Sequence, residues 1–300
     1  MKYKFNNSFL SSFLSLSYLV LGTIVISGFL LSCDRLNERD YLISLSPSDS
    51  TDISPFAKRV LIEDLTGTRC PNCPRAMRTA NDLQGLYPGR VIVLANHGSY
   101  QYVRSLSSPD SLTSEVGDFF YKTYFQNVGN SLPQGLINRR AGSNGKLFAD
   151  AEWALAVSKE VDLMSDFSVK IEPTYKESSK TLEAKIEIST AKALEGSYSL
   201  TVLIVQDGII HPQAEGAELV SDYVHKHVLR DAISSASGDV LNSGAISKGE
   251  VLHKQYTYTF PKQWARGGFV DASSCSLIAF VSDLASGEIL QSSLSLKLAD

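Results

Sequence analysis

The apolar periodicity of this chain changes once, near Asp166, and that change constrains the fold more than any other feature. Before it, short continuous apolar runs alternate with segments of helical spacing; after it, only strand-like patterns recur. Val60-Leu61-Ile62-Glu63-Asp64-Leu65 reads as a buried strand, Pro74 to Leu86 as a helix, and Arg90-Val91-Ile92-Val93-Leu94-Ala95 as a second buried strand. Strand, helix and strand in that order imply a right-handed parallel crossover. Leu112 to Phe125 reads as another helix, and its Val116, Phe119, Phe120 and Tyr124, at helical spacing, belong to a core rather than to a ligand platform. Leu132 to Asn138 reads as a constrained loop entering a strand. Only a Gly142-Ser143-Asn144-Gly145 turn separates it from a helix over Phe148 to Leu163.

Beyond Asp166, Ser168 to Glu172 and Leu182 to Ile188 alternate, and Ser199 to Val205 is a more continuous apolar run. Val251 to Phe260, Ser276 to Val281 and Ile289 to Leu296 add further strands. Strands that recur without helices predict an antiparallel β-sandwich. The expected fold class is α/β plus all-β, with an α/β domain over 58–164 and a sandwich over 165–300. Asp207 to Gly249 carries no pattern that assigns it to either. With 43% hydrophobic residues in 300, both domains have material for a core. A net charge of −4 supplies no basic field for phosphate backbones, so nucleic acid is not an expected partner.

Lys2 and Lys4 are followed by no charge until Asp34, and Phe9 to Leu31 is dominated by apolar and small residues, the pattern of an export signal. The same run is long enough for a permanent anchor helix. Leu30-Leu31-Ser32-Cys33 resembles the lipobox of bacterial lipoproteins. That resemblance implies a signal peptide over 1–32, lipid on Cys33 as the membrane attachment, and a polar tether over 33–57. A cell-envelope location permits disulfides.

Cys70-Pro71-Asn72-Cys73 falls between the first strand and the first helix, where helix amides and dipole favour a thiolate and Arg69 adds a positive neighbour. Exchange needs one exposed thiolate to attack and a second thiol near enough to resolve the mixed disulfide; Cys70 and Cys73 fill those roles. A structural disulfide stapling the turn is the alternative reading. A Cys2His2 metal site with His225 and His227, which share a face if they lie on a strand, would require both domains to fold together there; no metal and no cofactor is expected. His97 reads as a hydrogen-bonded loop residue, and Cys275 as a buried thiol packing like a small hydrophobe.

Over roughly Lys58 to Leu163 the chain resembles the thioredoxin superfamily. The resemblance implies that Asp64, six residues before Cys70, is the buried acid that takes the resolving cysteine's proton. It also implies that Leu132-Pro133 is the cis-proline loop beside the disulfide, which pairs with substrate backbone. Arg69 stands where that superfamily has an aromatic residue, and Pro71 replaces the usual first intervening residue. Pro74 lacks an N–H, so the helix is expected to start only near it, weakening the dipole at Cys70. A wider set of residues is similar to the family of twenty-eight-kilodalton outer-membrane-protein lipoproteins. It comprises the lipobox, Thr66-Gly67 before Cys70-Pro71-Asn72-Cys73-Pro74, Leu132 to Arg139, and Tyr223-Val224-His225-Lys226-His227-Val228-Leu229-Arg230. That family is loosely described as adhesin- or receptor-like. Three roles therefore stand: thiol–disulfide exchange on envelope proteins, non-catalytic binding with an inert disulfide, and peptide holding in the cis-proline groove without turnover.

Overall fold

The computed structural model describes residues 53–98, 112–125, 131–143, 145–242 and 244–298. The expected signal peptide, Cys33, nearly all of the tether and the polar connection from Gln101 to Asp110 lie outside them. The first strand, β1 (Val60–Leu65), is the expected run residue for residue. Helix α1 (Cys73–Leu86) follows, with Asn72 as its N-cap and proline in its first turn, where a missing N–H leaves no bond unmade. Strand β2 (Val91–Asn96) pairs parallel with β1, as the crossover requires. Helix α2 (Glu115–Tyr124) opens on Ser114, whose hydroxyl accepts from Gly117 N; Glu115 and Asp118 sit at its positive end and Lys122 at its negative end. Phe120 is buried, with Phe119 and Tyr124 packed alongside, so these aromatics are core. Strand β3 (Gln134–Ile137) runs antiparallel to β1, β4 (Leu147–Phe148) is two residues long, and α3 (Trp153–Val161) completes this part.

The later strands also fall where alternation put them: β5 (Phe167–Lys176), β6 (Thr181–Thr190) and β7 (Tyr198–Gln206). The segment without a sequence pattern forms short strands β8 (Ile209–Ile210), β9 (Gln213–Glu215), β10 (Glu218–Val220), β11 (Val224–His225), β12 (Val228–Ala232) and β13 (Asp239–Val240). Strands β14 (Val251–Thr259), β15 (Cys275–Asp283) and β16 (Ile289–Leu294) end the described chain.

Two sheets dominate a mixed α/β, mostly β architecture. The larger has the order β16-β15-β7-β12-β2-β1-β3-β4, with β13 beside β7; the smaller is β14-β6-β5. They face one another across a core that includes Phe167, Leu182, Ile186 and Ile188 from the small sheet and Leu200, Val202, Leu277 and Ala279 from the large one. Strands on both sides of residue 164 thus hydrogen-bond into one sheet. The seam is β12 against β2, with Val228 opposite Ala95 and Ala95 N donating to His227 O at 2.8 Å. Cys275 is fully buried in this core; burial pushes its thiol up to about 12, and Sγ donates to Asp271 O. Among the described residues no helix is long and apolar enough to cross a membrane.

Candidate functional site

Strand β1 is covered on both faces, which is why its sequence is continuously apolar apart from two adjacent carboxylates. Val60 and Ile62 pack on Ala76, Ala80 and Leu83 of α1, while Leu61 packs on Val116 and Phe120 of α2. Alternation then sends Asp64 to the α1 face and Glu63 to the α2 face. The chain leaves β1 through a tight turn in which Cys70 N donates to Gly67 O and Cys73 N to Cys70 O. Cys70 and Cys73 are joined in a disulfide, Cα atoms 5.4 Å apart. Cys73 is the first residue of α1, so Cys70 stands one turn ahead of the helix, as Pro74 dictates.

Exposure corrects the sequence reading. The expected attacking thiol was to be open to solvent, yet Cys70 is 1% and Cys73 2% exposed. The cover comes from the segment that carried no sequence pattern. Gln213 Nε2 donates to Gly67 O and Cys70 O, Ala214 N to Thr68 O at 2.8 Å, and Gly216 N to Pro71 O at 3.0 Å. Glu215 pairs with Arg78 of α1 at 2.6 Å. Strands β9 and β10 form the hairpin that makes these contacts.

Asp64 is 0% exposed, and neither carboxylate oxygen has a hydrogen-bond partner among the described residues. Burial pushes its carboxyl up to about 8, with Asp150 nearby adding in the same direction. It is therefore largely uncharged at neutral pH. The Leu132–Pro133 bond is cis. Because Gln134 pairs with Leu65, Pro133 stands across from the point where β1 gives way to the cysteine turn. The topology therefore brings Asp64, Cys70, Cys73 and Pro133 to one end of β1.

The opposite face holds a site that sequence reasoning did not single out. Arg139 and Glu63, both buried, form a bidentate pair, Nε to Oε2 at 2.8 Å and Nη2 to Oε1 at 2.7 Å. The guanidinium lies 3.6 Å over the Tyr124 ring. Arg139 adopts a left-handed backbone, φ 52°, next to Asn138 at 48°. No local spacing announces a pair whose members are so far apart in the chain.

The histidines divide. His225, on β11, is buried beside His97, His211 and Tyr223, with ring centroids 5.5, 6.0 and 4.8 Å away. Its Nε2 meets His211 O at 3.1 Å, and burial lowers its pKa to about 4. His227 does not share that face: a left-handed turn at φ 56° takes it out of the strand, and its ring approaches Asp207 at 3.5 Å. His97 lies in the loop at the exit of β2. It is buried, and its ring nitrogens have no partner among the described residues beyond an approach to the Ala95 backbone. Burial first, then His225, Arg230 and His211, hold it well below its usual value. The hollow between Cys73, Met77, His97, Tyr223 and His225 measures about 10 Å³, barely room for one water. Among the described residues no three His, Cys, Asp or Glu side chains are grouped so as to hold a metal ion.

Comparison with known proteins adds location and fold. Residues 120–293 match the family described as outer membrane protein Omp28, a stretch that begins after the cysteine turn. No curated protein matches the chain. Among solved structures, HBP35 of Porphyromonas gingivalis is 17% identical with a TM-score of 0.61, covering 82% of this chain and 77% of that one, which shows a shared fold. A protein from Agrobacterium tumefaciens superposes less closely, at 16% identity and TM-score 0.49 over 80% of this chain and 95% of that one. A domain of the outer membrane lipoprotein Omp28 from P. gingivalis is 16% identical, TM-score 0.31, over 46% of this chain and 91% of that domain.

Proposed function

The chain belongs to the Omp28 family of bacterial outer membrane lipoproteins, and from that premise we propose that it exchanges thiols and disulfides with envelope proteins through Cys70 and Cys73. In this reading lipid on Cys33 holds the protein at the membrane, 33–57 is the tether, 58–164 is a thioredoxin-like unit, and 165–300 positions partners as a β-sandwich. One observation carries the proposal. Asp64 is a buried acid with no hydrogen-bond partner among the described residues, on the face of β1 that packs against the helix beginning at Cys73. Burying such a group is unfavourable, and a disulfide that merely staples a turn has no use for it.

The steps balance without a cofactor. A client thiolate attacks Cys70 Sγ; the Cys70–Cys73 bond breaks, and the electron pair leaves on Cys73. Neutral Asp64 supplies the proton that Cys73 then takes. A second client thiolate attacks the client sulfur of the mixed disulfide and releases Cys70 as a thiolate, so the client is oxidised and the pair reduced. In the other direction ionised Asp64 accepts the Cys73 proton, and the Cys73 thiolate resolves the mixed disulfide. Pro133, across from the end of β1, lies where a client backbone would pair.

The burial of both sulfurs favours a second reading, a binding lipoprotein with an inert disulfide. Trapping separates the two. With Cys73→Ala, exchange predicts covalent client adducts on Cys70 that a reductant releases, and Asp64→Asn slows resolution of the mixed disulfide by Cys73 most near pH 8, where Asp64 becomes ionised and can take the Cys73 proton. A Cys73→Ala protein that accumulates no adducts in envelope extracts supports the inert disulfide instead.

A further inference from the structure

The segment between Gly208 and Lys226 is built inside out. Its buried side chains are polar, His211, Gln213 and His225, whereas Ile210, Leu219 and Val224 are 69%, 57% and 49% exposed. Apolar burial is what holds most elements in place, and here that contribution faces solvent. The segment is held down by the short row of hydrogen bonds to the cysteine turn, by the His225 ring against His97, and by the Glu215–Arg78 pair, whose side chains are 34% and 59% exposed. Such a region opens locally at low free energy.

Its neck is closed. Asp207 Oδ1 accepts from His227 N at 2.6 Å, and β8 pairs with β11 just above. Both ends carry left-handed residues, Gly208 at φ 73° and His227 at 56°. With its ends pinned together and its body formed by two short strand pairs, the segment can move as a unit about its neck.

The contact itself has the chemistry of strand recognition. Ala214 and Gly216 present their N–H groups two residues apart, on one side of the strand, to the carbonyls of Thr68 and Pro71. We propose that this carbonyl row beside the disulfide is a docking edge for an extended polypeptide segment of a client protein, and that β9 occupies it in the resting molecule as a built-in stand-in. The inference rests on the exchange reading and names its partner: an extended backbone with free N–H groups at alternate positions, so proline is excluded there. Docking of a client strand lifts the hairpin about its neck and opens Cys70 to attack.

The test measures the rate at which glutathione reduces the Cys70–Cys73 bond in the full chain, followed by alkylation and intact mass. Glu215→Lys, which sets a like charge against Arg78, and Gln213→Ala are each expected to speed reduction tenfold or more without changing the far-UV spectrum. A synthetic peptide of residues 210–219 added to the Glu215→Lys protein restores slow reduction, and the same peptide carrying Ala214→Pro does not. Native rates in both variants overturn the inference, as does equal action of the two peptides. The exchange reading fails separately. If the variants and peptides behave as expected while Cys73→Ala traps no client, the docking edge stands and exchange falls; if clients are trapped while the variants keep native reduction rates, exchange stands and the docking edge falls.

Discussion

The two faces of β1 treat neighbouring carboxylates in opposite ways. On the α2 side, Glu63 is held by a bidentate guanidinium that is itself stacked on Tyr124. On the α1 side, Asp64 is equally buried and makes no hydrogen bond among the described residues. The first arrangement meets the demand that a buried charge be paired and hydrogen-bonded. The second meets the demand by neutralising the acid, which keeps its proton at neutral pH.

Breaking the paired face has the largest expected effect. Arg139→Met leaves the Glu63 carboxylate buried and unpartnered, and should lower stability by roughly 3–5 kcal/mol, read as a shift in the urea midpoint at unchanged slope. The unpaired face should respond with the opposite sign. Its folded pKa, about 8, lies above the unfolded value near ~3.9, so the unfolded chain gives up this proton first. Stability contributed by the protonated acid is complete below about pH 4, declines as pH rises, and levels off above about pH 8. Asp64→Asn should remove that decline and raise stability at pH 8 by on the order of 2 kcal/mol or more, while matching the native protein at pH 4 in the same denaturation assay.

Smaller changes sharpen the contrast. Asp150→Asn removes the charge that adds to burial in raising Asp64, and should move the midpoint of the pH-dependent decline downward without abolishing it; titration of the Asp64 carboxyl carbon by NMR reads this directly. Arg75→Gln breaks a pair with Asp150 in which Arg75 is 61% exposed, and should change stability by no more than about 0.5 kcal/mol in a thermal melt.

How much of this was readable from the residues follows the range of the forces involved. Strand β1, the start of α1 forced by Pro74, and the long strands β5, β6, β7, β14, β15 and β16 were legible because period and proline chemistry act locally. Asp64 and Pro133 were named only through resemblance to thioredoxins; nothing in their immediate neighbours marks them. The Arg139–Glu63 pair joins residues on different elements, and its left-handed backbone has no glycine to advertise it. The cover over the disulfide was illegible for a different reason. Strands β8 to β11 are two or three residues long, too short for a period, and their buried side chains are polar. His225 and His227 would share a face only on one strand, and β11 ends at His225, with a left-handed φ of 56° at His227.

Whether the Cys70–Cys73 disulfide is reactive or a staple is decided by its reduction potential. Equilibrating the full chain in glutathione buffers and counting alkylated cysteines by intact mass gives that value. An exchanging pair should show a potential between about −120 and −270 mV, the range of proteins that exchange disulfides. A potential below about −300 mV, where structural disulfides lie, would contradict exchange.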